Sequence, residues 1–272
     1  MPQFELFVKP KNAIAMSRKP HPILNKYRVI LNRRSQLNQP MKGKQVLLTG
    51  GTGGLGMGVT PLVISQGAKV TIPYRNEAEV ERLKGILTPT EFETIRFVSV
   101  NLTEESAVKQ LVEDMGRVDV LIHLVGGFAM GKVHEYSYEN WKKDFDLNLH
   151  TTFLVCKHSL AKMLQNGYGR IVTVGSRGAV QPGAQLASYC ASKAGVIALT
   201  QSIAEETKGM NITANTVLPS VIDTPTNRDA LGGDANANQW VKPESIGQVI
   251  CFLASEAAQD IRGATVPVYG NI

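Results

Sequence analysis

The sequence is poor in cysteine, and the few cysteines that it has do not form pairs. There are three among 272 residues, Cys156, Cys190 and Cys251. Their odd number, their wide separation and the lack of a Cys-x-x-Cys pair argue against a disulfide framework and against a zinc site. The pattern instead predicts three reduced, mostly buried thiols in a protein of the cytoplasm.

Long apolar runs are also missing. The longest ones, such as VDVLIHLVGG at residues 118–127, are too short to cross a bilayer, so we expect no membrane segment. The histidines show no His-Glu-x-x-His or similar spacing, and we predict no metal site. Hydrophobic residues make up 43% and charged residues 19% of the chain, which is typical of a globular protein with a sizeable core.

Acidic residues are scarce at the start of the chain. Residues 1–40 contain eight lysines and arginines but one acid, Glu5, whereas the whole chain has a net charge of +6. The rest of the chain is therefore near neutral and lacks the broad basic face of a nucleic-acid binder. We interpret residues 1–40 as a basic extension outside the core fold. It lacks the apolar core of a secretory signal, and both an organellar transit peptide and an arm on a partner subunit stay open.

From Gly43 onward, short apolar runs alternate with longer segments of helical spacing. Repeated alternation of this kind predicts an α/β fold of Rossmann type, in which helices cover both faces of a doubly wound, seven-stranded parallel sheet. We expect one catalytic domain over residues 41–272. Thr103, followed by two acids, is predicted to cap the helix after the third strand. The predicted strands are 45–49, 69–73, 94–100, 118–124, 170–174, 212–218 and 265–269.

A glycine-rich stretch, TGGTGGLGMG at residues 49–58, directly follows the first predicted strand. Glycines at this place let backbone N–H groups approach a pyrophosphate at a helix N-terminus. The alternative is a glycine-rich turn without a ligand, which the position of the motif disfavours.

The end of the second predicted strand indicates which dinucleotide is used. An acid there would bind the ribose hydroxyls of NAD(H), but this chain has Tyr74 followed by Arg75. A guanidinium can pair with a 2′-phosphate, so NADP(H) is favoured and NAD(H) is the alternative. Arg75 as a simple cap of a solvated loop is the competing interpretation.

The motifs, taken in order, resemble the short-chain dehydrogenase/reductase family in its single-domain branch, and are similar to its 3-oxoacyl-acyl-carrier-protein-reductase-like members. The resemblance covers residues 43–272 and rests on five stretches, TGGTGGLG (49–56), NLH (148–150), VTVGSRGAV (172–180), YCASK (189–193) and NTVLPSVIDTP (215–225). It implies four catalytic residues, Ser176, Tyr189, Lys193 and Asn148. Together with the features above, it implies cofactor contacts from Gly50, Thr52, Gly54, Leu55, Gly56, Arg75, Asn101, Leu102, Gly126, Tyr189, Lys193 and Thr224.

The chain also departs from the family pattern. His123, Leu124 and Val125 stand where the family usually has Asn-Asn-Ala, although Gly126 keeps the close approach to the cofactor. Asn101 stands where an aspartate near the adenine is common. The resemblance further implies a homodimer or homotetramer formed through helices around residues 138–165 and 187–208.

The spacing of Tyr189 and Lys193 places both side chains on one face of a helix. Carbonyl reduction needs a hydride from the cofactor and a proton from the protein, but a free tyrosine has a pKa of about 10. An ammonium about 4 Å away would lower that pKa by up to ~3 units at an effective dielectric near 20, before the opposing effect of desolvation is subtracted. We therefore predict Tyr189 as the acid–base, Lys193 as the group that lowers its pKa and binds ribose, and Ser176 as a hydrogen-bond partner of the reacting oxygen. The resemblance implies that Asn148 supports a proton path from Lys193.

Together these features predict an NAD(P)(H)-dependent oxidoreductase that interconverts a ketone and a secondary alcohol. The alternative is a nucleotide-binding regulatory protein of the same fold without turnover, which the complete Ser, Tyr, Lys and Asn set disfavours. We expect a small-molecule carbonyl or alcohol as substrate, with no nucleic acid. The sequence does not identify that substrate, because the region that would select it, residues 224–240, is short and polar and includes a loop predicted to be flexible, 232–239.

Overall fold

Seven apolar segments form one parallel sheet in the structure, a computed structural model that describes residues 39–231 and 237–272. Across the sheet the strand order is β3-β2-β1-β4-β5-β6-β7. This confirms the predicted Rossmann-type sheet and all seven predicted strands, although the third, fourth and seventh are shorter than predicted. The strands are β1 (Gln45–Thr49), β2 (Lys69–Tyr74), β3 (Arg96–Ser99), β4 (Val120–His123), β5 (Gly169–Val174), β6 (Ile212–Pro219) and β7 (Thr265–Val268).

Helices alternate with the strands along the chain. A π-helical turn, Asp146–His150, joins two of them, and short 3-10 turns lie at Arg177–Ala179, Ala237–Gln239 and Glu256–Ala258. The helices are α1 (Gly56–Ser65), α2 (Glu77–Lys84), α3 (Pro89–Glu93), α4 (Glu105–Met115), α5 (Tyr138–Phe145), α6 (Thr151–Asn166), α7 (Ala187–Glu206), α8 (Pro225–Leu231) and α9 (Pro243–Leu253).

The core has two parts because successive side chains of a strand point to opposite faces of the sheet. Leu48 packs in one cluster with residues of α1 and α9, whereas its neighbour Leu47 packs in the other with residues of α4, α6 and α7. The central strands β4, β5 and β6 are buried along their whole length. Such burial explains why β4 is an apolar run in the sequence, whereas β5 and β6 also bury polar residues such as Thr173 and Asn215.

The predicted helix cap at Thr103 is wrong. Its hydroxyl donates to Asn101 Oδ1 at 2.9 Å and its backbone N–H donates to the same oxygen at 3.2 Å. Helix α4 begins at Glu105 without a side-chain cap. The local turn at Asn101 competes for Thr103, as asparagine side chains commonly do, and it fixes Asn101 at the end of β3.

The strand order reverses direction at the centre of the sheet. Because β1 lies between β2 and β4, the chain runs outward on one side to β3 and then crosses to β4. Ligands of open α/β sheets bind at such a point, outside the carboxyl ends of the strands. The glycine-rich loop after β1 and Gly126 after β4 both lie at this edge, so the fold brings together two of the motifs that the sequence singles out.

The described residues also bear on the remaining predictions. All three cysteines are buried and unpaired, as predicted. Among the described helices, none combines the length and the hydrophobicity that a bilayer crossing requires, and no three His, Cys, Asp or Glu residues within the described ranges cluster as a metal site would need. The predicted extension at residues 1–40 and the predicted loop at 232–239 lie largely outside the described residues and stay predictions.

Candidate active site

The loop after β1 has a backbone that leaves no room for side chains at key positions. A Cβ on Gly56 would lie 2.3 Å from the Gly51 carbonyl oxygen, and Gly50 has a φ of +72°. The Gly53 N–H donates to the Gly50 carbonyl at 3.1 Å, and the Met57 N–H donates to the Gly53 carbonyl at 3.0 Å. The loop is therefore a compact turn that leads directly into α1, an arrangement that suits a pyrophosphate at a helix N-terminus.

Two further predicted cofactor residues lie at this loop. Leu55 is the residue immediately before α1 and packs, partly buried, against one of the two core clusters. Thr224 is buried, and a Cβ on Gly54 would lie 3.1 Å from its methyl group. The segment after β6 therefore lies against the glycine loop, which places Thr224 where it could contact a bound dinucleotide.

A cleft opens beside the loop, at the carboxyl ends of β1, β2 and β3. Five predicted cofactor residues line it, namely Gly50, Thr52, Arg75, Asn101 and Leu102. The glycine turn and this cleft together fit a dinucleotide, with the pyrophosphate at the turn and the adenosine in the cleft.

Arg75 is exposed at the cleft, and within the described part of the chain its guanidinium has no hydrogen-bond or ion-pair partner. Sequence reasoning missed Glu79, which lines the same cleft. The Thr52 hydroxyl donates to Glu79 Oε2 at 3.1 Å. The only sequence signal for this contact is that Glu79 lies in the first helical turn after β2.

Ser176 and Tyr189 meet on either side of Gly178. Ser176 follows β5 and accepts a hydrogen bond from the Gly178 N–H at 3.1 Å. A Cβ on Gly178 would lie 3.5 Å from Ser176 Oγ and 3.8 Å from the Tyr189 ring. Phe128 packs edge-on against that ring, with 5.1 Å between the centroids. These contacts orient the phenol in the first turn of α7.

Lys193 and Asn148 meet at Gly126. A Cβ on Gly126 would lie 2.8 Å from both Lys193 Nζ and Asn148 Oδ1, so only glycine fits here. Asn148, in the π-helical turn, holds Gly127 with two hydrogen bonds: its Oδ1 accepts from the Gly127 N–H at 3.0 Å and its Nδ2 donates to the Gly127 carbonyl at 3.1 Å. The Lys193 ammonium donates to the Val174 carbonyl at 2.9 Å.

The electrostatics of the site differ from the prediction for Tyr189. Burial raises the pKa of Tyr189 above its ordinary value of 10.0, and the nearby Ser176 hydroxyl offsets only part of this effect. Burial also lowers the pKa of Lys193 from 10.5 to about 8. The predicted lowering of the Tyr189 pKa by Lys193 is wrong for this arrangement, because desolvation dominates and the ammonium is hydrogen-bonded to Val174.

His123 stands where the family usually has an asparagine, and its side chain connects two neighbouring strands. Its Nδ1 lies 2.7 Å from the Thr49 hydroxyl, so the pair links the carboxyl ends of β1 and β4 beneath the site. Its Nε2 is buried without a hydrogen-bond partner among the described residues. Burial, with a smaller contribution from the Lys193 charge, lowers the pKa of His123 from 6.5 to about 3. The imidazole is therefore neutral near pH 7.

The family assignment follows from comparison with known proteins. The family model described as short chain dehydrogenase matches residues 44–233. The chain belongs to the short-chain dehydrogenase family. This membership confirms the predicted resemblance and identifies an oxidoreductase that interconverts a carbonyl and an alcohol with NAD or NADP, and it does not favour the regulatory alternative.

Individual short-chain dehydrogenases match over most of the chain. The 3-oxoacyl-[acyl-carrier-protein] reductase FabG of Rickettsia conorii is 29% identical, over 85% of this chain and 98% of that protein. The 3-oxoacyl-[acyl-carrier-protein] reductase MabA of Mycobacterium bovis is 32% identical, over 86% of this chain and 94% of that protein. A solved structure titled short chain dehydrogenase/reductase family protein superimposes with a TM-score of 0.78 at 28% identity, over 85% of this chain and 98% of that chain.

Replacing Lys193 by methionine should stabilise the protein below pH 8. Below about pH 8 both the folded and the unfolded states hold the lysine proton, and the folded state carries a costly buried ammonium. Between about pH 8 and 10.5 the folded state releases that proton first, so the wild-type free energy of unfolding rises with pH relative to the variant, by up to about 3 kcal/mol. Urea unfolding from pH 7 to 10 measures the difference. Parallel curves for wild type and Lys193→Met, with exposed Lys109→Met as the control, would contradict the assignment.

Replacing His123 by asparagine should reduce acid sensitivity. Between pH 6.5 and about 3 the unfolded state binds a proton that the folded state excludes, so wild-type stability falls as the pH is lowered, by up to about 5 kcal/mol. Asparagine can keep a hydrogen bond to Thr49 but does not titrate. Thermal unfolding of both proteins from pH 7 to 4 should show a flatter dependence for His123→Asn, and no flattening for the exposed control His134→Asn. Equal slopes for all three proteins would refute a neutral, buried His123.

Proposed function

We propose that this short-chain dehydrogenase is an NADP(H)-dependent carbonyl reductase in which Tyr189 is the acid–base. The observation that carries this proposal is the pairing of two contacts at one edge of the sheet. Ser176 meets Tyr189 at Gly178, while Lys193 meets Asn148 at Gly126. Since Lys193 lies one helical turn after Tyr189 on α7, the two contacts form one continuous site beside the dinucleotide cleft.

The residues divide the chemistry of reduction among them. When bound, the nicotinamide supplies the hydride that is added to the carbonyl carbon. Tyr189, whose raised pKa keeps it protonated at neutral pH, donates its proton to the carbonyl oxygen. Ser176 donates a hydrogen bond to the same oxygen and orients it. Lys193, with a pKa of about 8, returns a proton to Tyr189, and Asn148 supports this path by holding the loop at Gly127.

The preference for NADP(H) rests on Arg75. Its guanidinium, which has no partner among the described residues, lies at the adenosine cleft and suits a 2′-phosphate, with which it can form charge-assisted hydrogen bonds. The related FabG and MabA proteins are named as 3-oxoacyl-[acyl-carrier-protein] reductases. A 3-oxoacyl thioester is therefore the substrate class that we propose to test first.

We also propose that the protein acts as a homo-oligomer. Large apolar side chains, including Phe153 and Leu164, are exposed on α6. These side chains lie on the segment, 138–165, through which the family resemblance implies pairing of subunits. Burial of such a patch against a second copy would remove apolar surface from water. The reduced, buried cysteines support a location in the cytoplasm.

Replacing Tyr189 by phenylalanine should abolish turnover and leave dinucleotide binding nearly unchanged. The variant keeps the ring that packs on Phe128 but removes the proton donor, so kcat should fall about 100- to 10,000-fold. NADPH consumption with 3-oxoacyl thioesters and small ketones measures turnover, and fluorescence titration measures NADPH binding. The exposed Tyr138→Phe should retain wild-type kcat. Retained turnover in Tyr189→Phe would contradict the role of Tyr189.

Replacing Arg75 by alanine should weaken NADPH much more than NADH. Loss of the guanidinium removes the charge-assisted hydrogen bonds to the 2′-phosphate, so the Kd of NADPH should rise about tenfold or more while that of NADH changes little. Lys84→Ala, which removes a positive charge from an exposed position of α2, controls for a general charge effect. Equal weakening of both dinucleotides by Arg75→Ala would remove the NADP(H) assignment.

A further inference from the structure

Glu79 is fixed in the cleft by the way α2 begins. Asn76 precedes the helix, and its side-chain oxygen accepts from the Ala78 N–H at 3.0 Å. The first turn of α2 then places the Glu79 carboxylate against the glycine loop, where Oε2 accepts from Thr52 at 3.1 Å. Thr52 is 3% exposed. This contact joins the loop after β1 to the helix after β2 on the side where a bound adenosine would lie.

The Glu79 carboxylate keeps free acceptor capacity at this position. Its side chain is 34% exposed, and its other oxygen lies 3.5 Å from the guanidinium of Arg82, itself 63% exposed. A carboxylate offers about four acceptor positions, so these two contacts leave room for a ligand hydroxyl. Arg75 lines the same cleft and has no ion-pair partner among the described residues. A negative and a positive side chain thus line one cleft without neutralising each other.

We propose that Glu79 is a specificity-determining residue that opposes Arg75 at the 2′ position of the adenosine ribose. Its carboxylate accepts a hydrogen bond from the ribose hydroxyl of NAD(H) and repels the 2′-phosphate of NADP(H), whereas Arg75 attracts that phosphate. The proposal rests on the proposed function for the placement of adenosine in this cleft. It goes beyond that function because the preference for NADP(H) over NAD(H) then depends on the opposing charges of Arg75 and Glu79, and not on Arg75 alone.

Glu79 would allow the chain to bind a ribose hydroxyl although no acidic residue stands at the end of β2. In this chain Tyr74 and Arg75 occupy the end of β2, where folds of this type commonly bind the ribose hydroxyls with a carboxylate. Glu79 supplies a carboxylate from the next helix instead. Thr52, hydrogen-bonded to it, holds the carboxylate at the glycine loop.

The test is the affinity of Glu79→Gln for the two dinucleotides. Glutamine keeps an oxygen that can accept from Thr52 but removes the negative charge. We expect the Kd of NADPH to fall about threefold to tenfold, the range for a partly solvated charge interaction, while the Kd of NADH is unchanged or rises. Fluorescence titration of each dinucleotide with the full chain measures both constants without any substrate. Glu81→Gln is the matched control, because Glu81 lies on the same helix and pairs with Lys84 at 3.6 Å.

The outcomes separate this proposal from the proposed function. A ratio of NADPH to NADH affinity that is the same in Glu79→Gln, Glu81→Gln and wild type would overturn the role of Glu79. Loss of binding of both dinucleotides in Glu79→Gln and also in Glu79→Ala would mean that Glu79 only supports the glycine loop through Thr52. That result would also overturn the proposed role of Glu79 in specificity. A wild type that binds NADH more tightly would refute the NADP(H) preference, yet a shift toward NADPH in Glu79→Gln would still support the opposing charge.

Discussion

The candidate site depends on one steric constraint, which is the close approach of the loops that follow β1 and β4. A Cβ on Gly50 would lie 2.9 Å from the Val125 N–H nitrogen, and a Cβ on Gly126 would lie 2.8 Å from Lys193 Nζ. Because neither position has room for a side chain, the two loops approach each other and Lys193 through their backbones. The Asn148 amide then holds the second loop in place by pairing with both backbone groups of Gly127. Glycine at these positions is therefore a condition for the site.

The two edges of the sheet differ in how many hydrogen bonds each gives to its buried cationic side chain. At the amino edge, the fully buried Arg170 donates to the Gly169 carbonyl, to Asn211 and to Glu256, and it stacks on Tyr168. At the carboxyl edge, Lys193 is equally buried but donates to one carbonyl, that of Val174. A buried charge with few partners destabilises the folded state. Lys193 therefore lowers the stability of the folded state at the carboxyl edge, where the proposed chemistry needs an ammonium that can release its proton. Such a loss of stability is common at functional sites.

The sequence predicts those features that local patterns encode. The seven strands are readable from their apolar runs, the glycine loop from its position after the first of them, and the Tyr189–Lys193 pair from its helical spacing. The contacts that sequence reasoning missed join residues far apart in the chain. Thr52 and Glu79 are 27 residues apart, and Thr49 and His123 are 74 apart. Such contacts are set by how strands and helices pack, and no periodic pattern records them. The direction of the Tyr189 pKa was missed for a related reason, since the depth of burial is a property of the whole fold.

Burial raises the pKa of Tyr189 and lowers that of Lys193, and this ordering favours proton transfer from Lys193 to Tyr189. Tyr189 rises above 10.0 while Lys193 falls to about 8, so the ammonium is the stronger acid of the two. In the proposed roles, a Tyr189 that has given its proton to a carbonyl oxygen is a phenolate on the same helix as a more acidic ammonium. Transfer from Lys193 to that phenolate is then downhill, and it restores the donor for another turnover. The reverse process, in which Tyr189 accepts a proton from an alcohol and passes it to Lys193, is uphill by the same difference.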